Sequence, residues 1–119
     1  MAYDSSNILD PDVITELLEV GDADFLCDLF ETFIEDAHIK LDGMSEALTA
    51  GDTRTLGELA HTFKGASGNI GAIGLSNIAC SLQRIDDDAQ LESAAHMVDQ
   101  LKELYTLVEE AMKKEMQKL

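Results

Sequence analysis

Tryptophan is absent from this 119-residue sequence, proline occurs once, and only 5% of the residues are aromatic. A chain with a single proline and 45% hydrophobic residues is not of the disordered class, and this length suits one domain with its own core. A continuous apolar run of about 18 residues, which a membrane span needs, is also missing. These absences favour a single compact domain over residues 1–119.

Cysteine and basic residues are scarce as well. Cys27 and Cys80 lie far apart without C-x-x-C spacing, which argues against a zinc motif and a disulfide framework, so we expect two reduced core residues. Eight Lys and Arg stand against 24 Asp and Glu, giving a net charge of -16. This charge repels nucleic acid and anionic membranes, so neither is an expected partner. Since no basic and apolar signal segment opens the chain, we expect a cytoplasmic location.

Hydrophobic residues recur at helical spacing along nearly the whole chain, and no alternating strand pattern, repeat or linker interrupts them. Residues 1–9 lack a strong period and are expected to be flexible. Asp10-Pro11 is typical of an N-cap followed by a first helical residue, and it predicts a short helix that stops at Gly21. Asp22 then caps a long second helix, which runs to Ala50-Gly51.

Three more helices are predicted. The third is capped by Asp52 and ends near Gly71; the fourth runs out at the carboxylates of residues 86–88, where we expect a turn; the fifth occupies the C-terminal part. Four long helices with short connections predict an all-α fold. We expect an antiparallel up-and-down four-helix bundle whose additional short N-terminal helix covers one end.

The third predicted helix displays a histidine. His61 lies roughly 160° from the centre of the helix's apolar stripe, so its imidazole is expected to face solvent. Gly57, Gly65 and Gly68 surround it on that outer face, although each glycine costs on the order of 1 kcal/mol relative to alanine in an exposed helix. Open space for a partner surface or a phosphoryl group explains them, and Lys64 can neutralise added negative charge. The alternative is a loosely formed surface helix with a chance histidine.

The motif His61-x-x-Lys64-Gly65-x-Ser67-x-x-x-Gly71 resembles that of histidine-containing phosphotransfer (HPt) domains. The resemblance implies that His61 is reversibly phosphorylated and relays phosphoryl groups between receiver-domain aspartates in a two-component phosphorelay. It implies response-regulator receiver domains as partners, with a hybrid sensor kinase as a further candidate. The receiver would supply Mg²⁺, so we expect no cofactor and no metal site in this chain. We also expect a monomer.

The same resemblance gives roles to neighbouring residues. Gln83 lies where many members of the family carry a Gln or Glu that reaches the imidazole, so it is expected to orient the ring. Arg84 is a further candidate because it could add positive charge. Ser67 lies near the apolar stripe, where close helix packing is as good an explanation as a phosphate contact. Because glycine-rich nucleotide loops are missing, the resemblance implies a phosphoryl carrier rather than an ATP-using kinase.

Two other interpretations compete with this one. Glu35-x-x-His38 and Glu58-x-x-His61 have the spacing that di-iron carboxylate bundles use, but those ligands must all point into the core, and His61 points away from it. A non-catalytic helical adaptor that binds receiver domains is the second alternative. His38 and His96 are the other candidate histidines; carboxylates one turn away flank both, and such neighbours repel phosphate. We therefore expect both to be solvated surface residues.

Overall fold

The computed structural model describes residues 8–85 and 90–119, which contain five α-helices and no strand. The helices are α1 (Pro11–Val20), α2 (Ala23–Ala50), α3 (Thr53–Asn69), α4 (Ile73–Leu82) and α5 (Leu91–Gln117). The predicted all-α fold is thus confirmed, while residues 1–7 and the turn expected at 86–88 lie outside the described residues. Within the described ranges, no helix is both long and apolar enough to cross a membrane.

Aspartate side chains set the starts of the first three helices. Asp10, Asp22 and Asp52 each accept a hydrogen bond from a backbone N–H of the first turn, at 2.9 to 3.0 Å. These bonds satisfy N–H groups that have no partner within the helix. At Asp52 the hydroxyl of Thr55 donates as well, and the hydrogen bonds from Thr55 hold the pKa of this carboxyl below its usual value. The helix starts predicted from the sequence are correct.

The helices α2, α3, α4 and α5 form a closed ring in which each packs on two neighbours. The ring of Phe33 on α2 lies 6.0 Å from that of Phe63 on α3 and 6.3 Å from that of Tyr105 on α5, measured between centroids. Farther along α2, Ser45 accepts a hydrogen bond from Lys102, which precedes Tyr105 on α5. The helices α2 and α5 therefore run antiparallel, as the short connections predict.

The two described apolar residues just before α1, Ile8 and Leu9, belong to the core. Ile8 and Leu9 are only 9% and 5% exposed, so the expectation of flexibility through residue 9 is wrong for these two. The backbone N–H of Asp10 donates to the carbonyl of Gly71 at 2.8 Å. Gly71 has a φ of +86°, and a Cβ there would lie 3.1 Å from the Cβ of Val13. Both the backbone conformation and the close approach of α1 require glycine at this position.

A polar cluster joins α2 to α5 on one side of the bundle. His38, expected to be a solvated surface residue, is 61% exposed, but its Nε2 lies 2.8 Å from Oε1 of Glu109. The hydroxyl of Tyr105 donates to the same oxygen at 3.0 Å, and Lys113 donates to the other at 3.2 Å. Burial, above all, raises the pKa of the Tyr105 hydroxyl. The carboxylate that pairs with His38 therefore comes from α5, whereas the sequence pointed to carboxylates on the histidine's own helix.

We predict opposite effects of alanine at two glycines. Gly71→Ala should lower the free energy of unfolding by about 1 to 3 kcal/mol, because φ at this position is positive and α1 approaches closely. Gly65→Ala should raise it by about 1 kcal/mol, because Gly65 lies within α3 and a Cβ there meets no atom within 4 Å. Urea denaturation of both variants tests this, and equal losses of stability would contradict it.

We also predict an acid-sensitive contribution from Glu109. The hydrogen bond from His38, above all, holds the pKa of Glu109 below its ordinary value of 4.5. The contribution is therefore present above about pH 5 and is lost as the pH falls through the lowered folded-state pKa. The free energy of unfolding should fall between about pH 5 and pH 3, and less so in Glu109→Gln. Denaturation at several pH values measures this, with Glu110→Gln at the exposed next position as control; an unchanged slope in Glu109→Gln would refute it.

Candidate functional site

An open groove of about 590 Å³ lies between the N-terminal two-thirds of α3 and the turn that follows α4. Its lining consists of six residues from α3 and two from the turn, namely Thr53, Arg54, Gly57, Glu58, His61, Thr62, Gln83 and Ile85. Three of the sequence-predicted site residues, His61, Gln83 and Gly57, thus line the same groove. Lys64, Gly65, Gly68, Ser67 and Arg84 do not line it.

His61 is held outward by the burial of the opposite face of α3. Leu56, Ala60 and Phe63 are buried there, and successive residues of a helix turn by about 100°, so the imidazole projects into solvent. Nδ1 lies 3.3 Å from Oε1 of Gln83. An amide oxygen can only accept, so in this hydrogen bond Nδ1 carries the proton, and in the neutral imidazole Nε2 then keeps its lone pair. The ring is both exposed and oriented by a second element.

Gln83 is positioned by the end of α4. It is the C-cap residue of that helix, and its backbone N–H donates to the carbonyl of Ala79 at 3.0 Å. The turn passes close to α3 at Gly57, where a Cβ would lie 3.7 Å from the Gln83 carbonyl oxygen and 3.9 Å from that of Ile85. A side chain at position 57 would thus contact the protein's own turn, while Gly57 itself lines the open groove beside His61.

The other two glycines have different surroundings. A Cβ at Gly65 would meet no atom within 4 Å, so this glycine borders open space on the exposed side of α3. A Cβ at Gly68 would lie 3.5 Å from the Oγ of Ser76 on α4, and Gly68 is half-buried. Among the three glycines around His61, Gly65 is therefore the one where a Cβ would contact none of the described atoms within 4 Å, and steric access at Gly57 and Gly68 stays a prediction.

Three further candidates divide between surface and core. Lys64 is half-buried, and its carbonyl accepts a hydrogen bond of 3.1 Å from the Oγ of Ser76, which ties α4 to this turn of α3. Arg84 is exposed. Ser67 is fully buried, and its hydroxyl has no hydrogen-bond partner among the described residues. A buried hydroxyl cannot contact a phosphoryl group at the surface, so Ser67 serves helix packing and not the site.

Sequence reasoning missed an ion pair in the groove. Arg54 Nε donates to Glu58 Oε1 at 3.2 Å, and Glu58 comes one turn before His61. The spacing of Arg54 and Glu58 could have predicted this pair, because residues four apart on a helix are neighbours. In the sequence, the spacing of Glu58 and His61 points only to a di-iron ligand pair. That arrangement does not form: His61 is exposed, and residues 8–85 and 90–119 hold no group of three or more His, Cys, Asp or Glu placed to bind a metal ion.

Comparisons with known proteins identify the class of this fold and site. The model of the Hpt domain family matches residues 28–111. The crystal structure of histidine-containing phosphotransfer protein B (HptB) from Pseudomonas aeruginosa PAO1 is similar, with 31% identity and a TM-score of 0.84 over 94% of this chain and 96% of that one. The histidine-containing phosphotransfer domain of ArcB from Escherichia coli has 24% identity and a TM-score of 0.82, over 96% and 97% of the two chains. A search of curated proteins gives no match.

This chain therefore belongs to the Hpt domain family, the histidine-containing phosphotransfer domains. Its function is histidine phosphotransfer in a phosphorelay. Domains of this family interact with receiver domains and kinases. The helical bundle predicted from periodicity and the family indicated by the motif around His61 are both confirmed.

Proposed function

We propose that His61 is the residue that carries the phosphoryl group, which it exchanges with an aspartate of a receiver domain. The observation that carries this proposal is the exposed imidazole with Nδ1 held by Gln83 and Nε2 without a hydrogen-bond partner among residues 8–85 and 90–119. His38 is a poorer candidate because its Nε2 is engaged by Glu109, and a carboxylate repels an incoming phosphoryl group. His96 is exposed, but no cross-helix hydrogen bond orients its ring among the described residues.

The transfer itself needs little beyond positioning. The Nε2 lone pair of His61 attacks the phosphorus of a receiver's aspartyl phosphate; the N–P bond forms as the P–O bond breaks, and the electron pair leaves with the aspartate carboxylate. Positive charge develops on the ring as the lone pair is used. The Gln83 oxygen stabilises it by accepting the Nδ1 hydrogen bond, and it keeps the ring aimed. The reverse reaction loads another receiver.

Lys64 supplies positive charge in this proposal. It follows His61 by one helical turn, and an ammonium on a flexible stem reaches oxygens that a rigid group would miss. Its backbone carbonyl accepts a hydrogen bond from Ser76, so the base of the side chain is fixed. Arg84, exposed beside Gln83, adds a second cation near the groove.

The proposal extends to the location, oligomeric state and partners of the chain. The chain acts as a cytoplasmic monomer and a phosphoryl carrier, with response-regulator receivers and a hybrid sensor kinase as partners. Mg²⁺ comes with the receiver, and the chain brings no cofactor of its own. A net charge of -16 supports the exclusion of nucleic acid and anionic membranes as partners. A non-catalytic adaptor would need neither a free Nε2 nor an orienting glutamine, so phosphotransfer is favoured over it.

Transfer from a phosphorylated receiver tests the proposal. Receivers loaded with radioactive phosphate should pass the label to this chain as an acid-labile, base-stable phosphohistidine. His61→Gln should abolish labelling, because an amide cannot form the N–P bond, whereas His96→Gln should label like the wild type. Peptide mapping locates the modified residue. Label on His38 or His96, with His61 unmodified, would overturn the assignment.

Space beside the imidazole gives a second test. Gly65→Leu should slow transfer at least tenfold, because the new side chain projects into the open space that a receiver must enter. Leucine is a good helix former, so the melting temperature should not fall. Ser93→Leu, at an exposed position of α5, is the matched control and should transfer at the wild-type rate. Wild-type transfer by Gly65→Leu would show that this space is not used.

A further inference from the structure

Glu58 is an unexpected neighbour for a phosphoryl-accepting histidine. It precedes His61 by three positions on α3, a spacing that puts the two Cβ atoms roughly 5 to 6 Å apart. Both side chains line the same groove. A free carboxylate there repels the incoming phosphoryl group. The same argument weighs against His38 as a phosphorylation site, so something must offset Glu58.

Arg54 is the residue that offsets it. Its Nε lies 3.2 Å from Oε1 of Glu58, and it also lines the groove. Arg54 comes four residues before Glu58, whereas His61 comes three residues after it. The ion pair therefore draws the carboxylate toward the start of α3, in the direction away from the imidazole, and cancels its charge.

Helix stability does not account for this arginine. Arg54 lies in the first turn of α3, where a cation opposes the helix dipole. The order of arginine before glutamate is also the less favourable of the two at this spacing. The two side chains are 89% and 66% exposed, and ion pairs at such positions add little to stability. Arg54 contributes to the lowered pKa of Asp52, but the hydrogen bonds from Thr55 are the larger cause.

We propose that Arg54 is a positioning residue for phosphoryl transfer at His61, acting through Glu58. By pairing with this carboxylate it neutralises the negative charge that lies one turn before the imidazole on α3. The inference rests on the proposed function of His61. A unit charge at roughly 6 Å in a water-like medium changes a rate about threefold, and the charge of the phosphoryl group raises this toward about tenfold.

The experiment compares phosphoryl transfer from one phosphorylated receiver to the wild-type chain and to five variants of the full chain. Arg54→Ala should be three- to tenfold slower than wild type. Arg54→Ala combined with Glu58→Gln should return to within twofold of wild type, because no carboxylate is left to neutralise, and Glu58→Gln alone should not be slower. Arg54→Lys should keep most of the rate. Lys118→Ala removes a cation from another exposed ion pair, at the end of α5, and should leave the rate unchanged.

A second phosphoryl donor separates chemistry at His61 from receiver docking. Labelling by phosphoramidate, a small donor with no protein surface, should follow the same order among the variants. A double variant as slow as Arg54→Ala would overturn the inference, because Arg54 would then act directly or through the helix cap. An effect seen only with the receiver, or no effect of Arg54→Ala, would overturn it as well. Failure of the proposed function is distinguishable, since the wild-type chain would then take no label at His61.

Discussion

Burial of one face of α3 is the constraint on which the site depends. Leu56, Ala60 and Phe63 are buried between neighbouring helices, and this fixes the rotation of α3 about its axis. A helix has only one rotation at a time, so the direction of every other side chain follows from it. His61 must then face solvent. The exposure of the imidazole is a consequence of core packing and requires no separate device.

Close packing of α4 against α3 provides the rest of the site's geometry. Ser76 donates to the carbonyl of Lys64, and half-buried Gly68 faces the same hydroxyl. At the other end of α4, the turn approaches Gly57 closely enough for Gln83 to reach the imidazole. Small residues on both sides therefore do more than leave room for a partner, because they allow the orienting side chain to arrive from a different helix.

Cations outnumber carboxylates within residues 53–69 and 83–85, which build the groove, in a chain that is strongly acidic overall. The net charge of -16 would oppose the arrival of a phosphoryl group if it were spread evenly over the surface. Arg54, Lys64 and Arg84, three of the eight cations in the sequence, all lie within or next to the segments that build the site. In our proposal one of them neutralises Glu58, and the others are free to meet the phosphoryl group.

The sequence by itself determined the helices and the displayed histidine, because caps and periodicity are local properties that repeat within one element. The family motif also pointed to Gln83. Only the tertiary structure decided that Gly57 faces a turn, that Ser67 is buried, and that Ile8 belongs to the core. It likewise gave His38 a partner on α5. Helical spacing defines directions around one axis, whereas these contacts depend on the distance and rotation of a second helix.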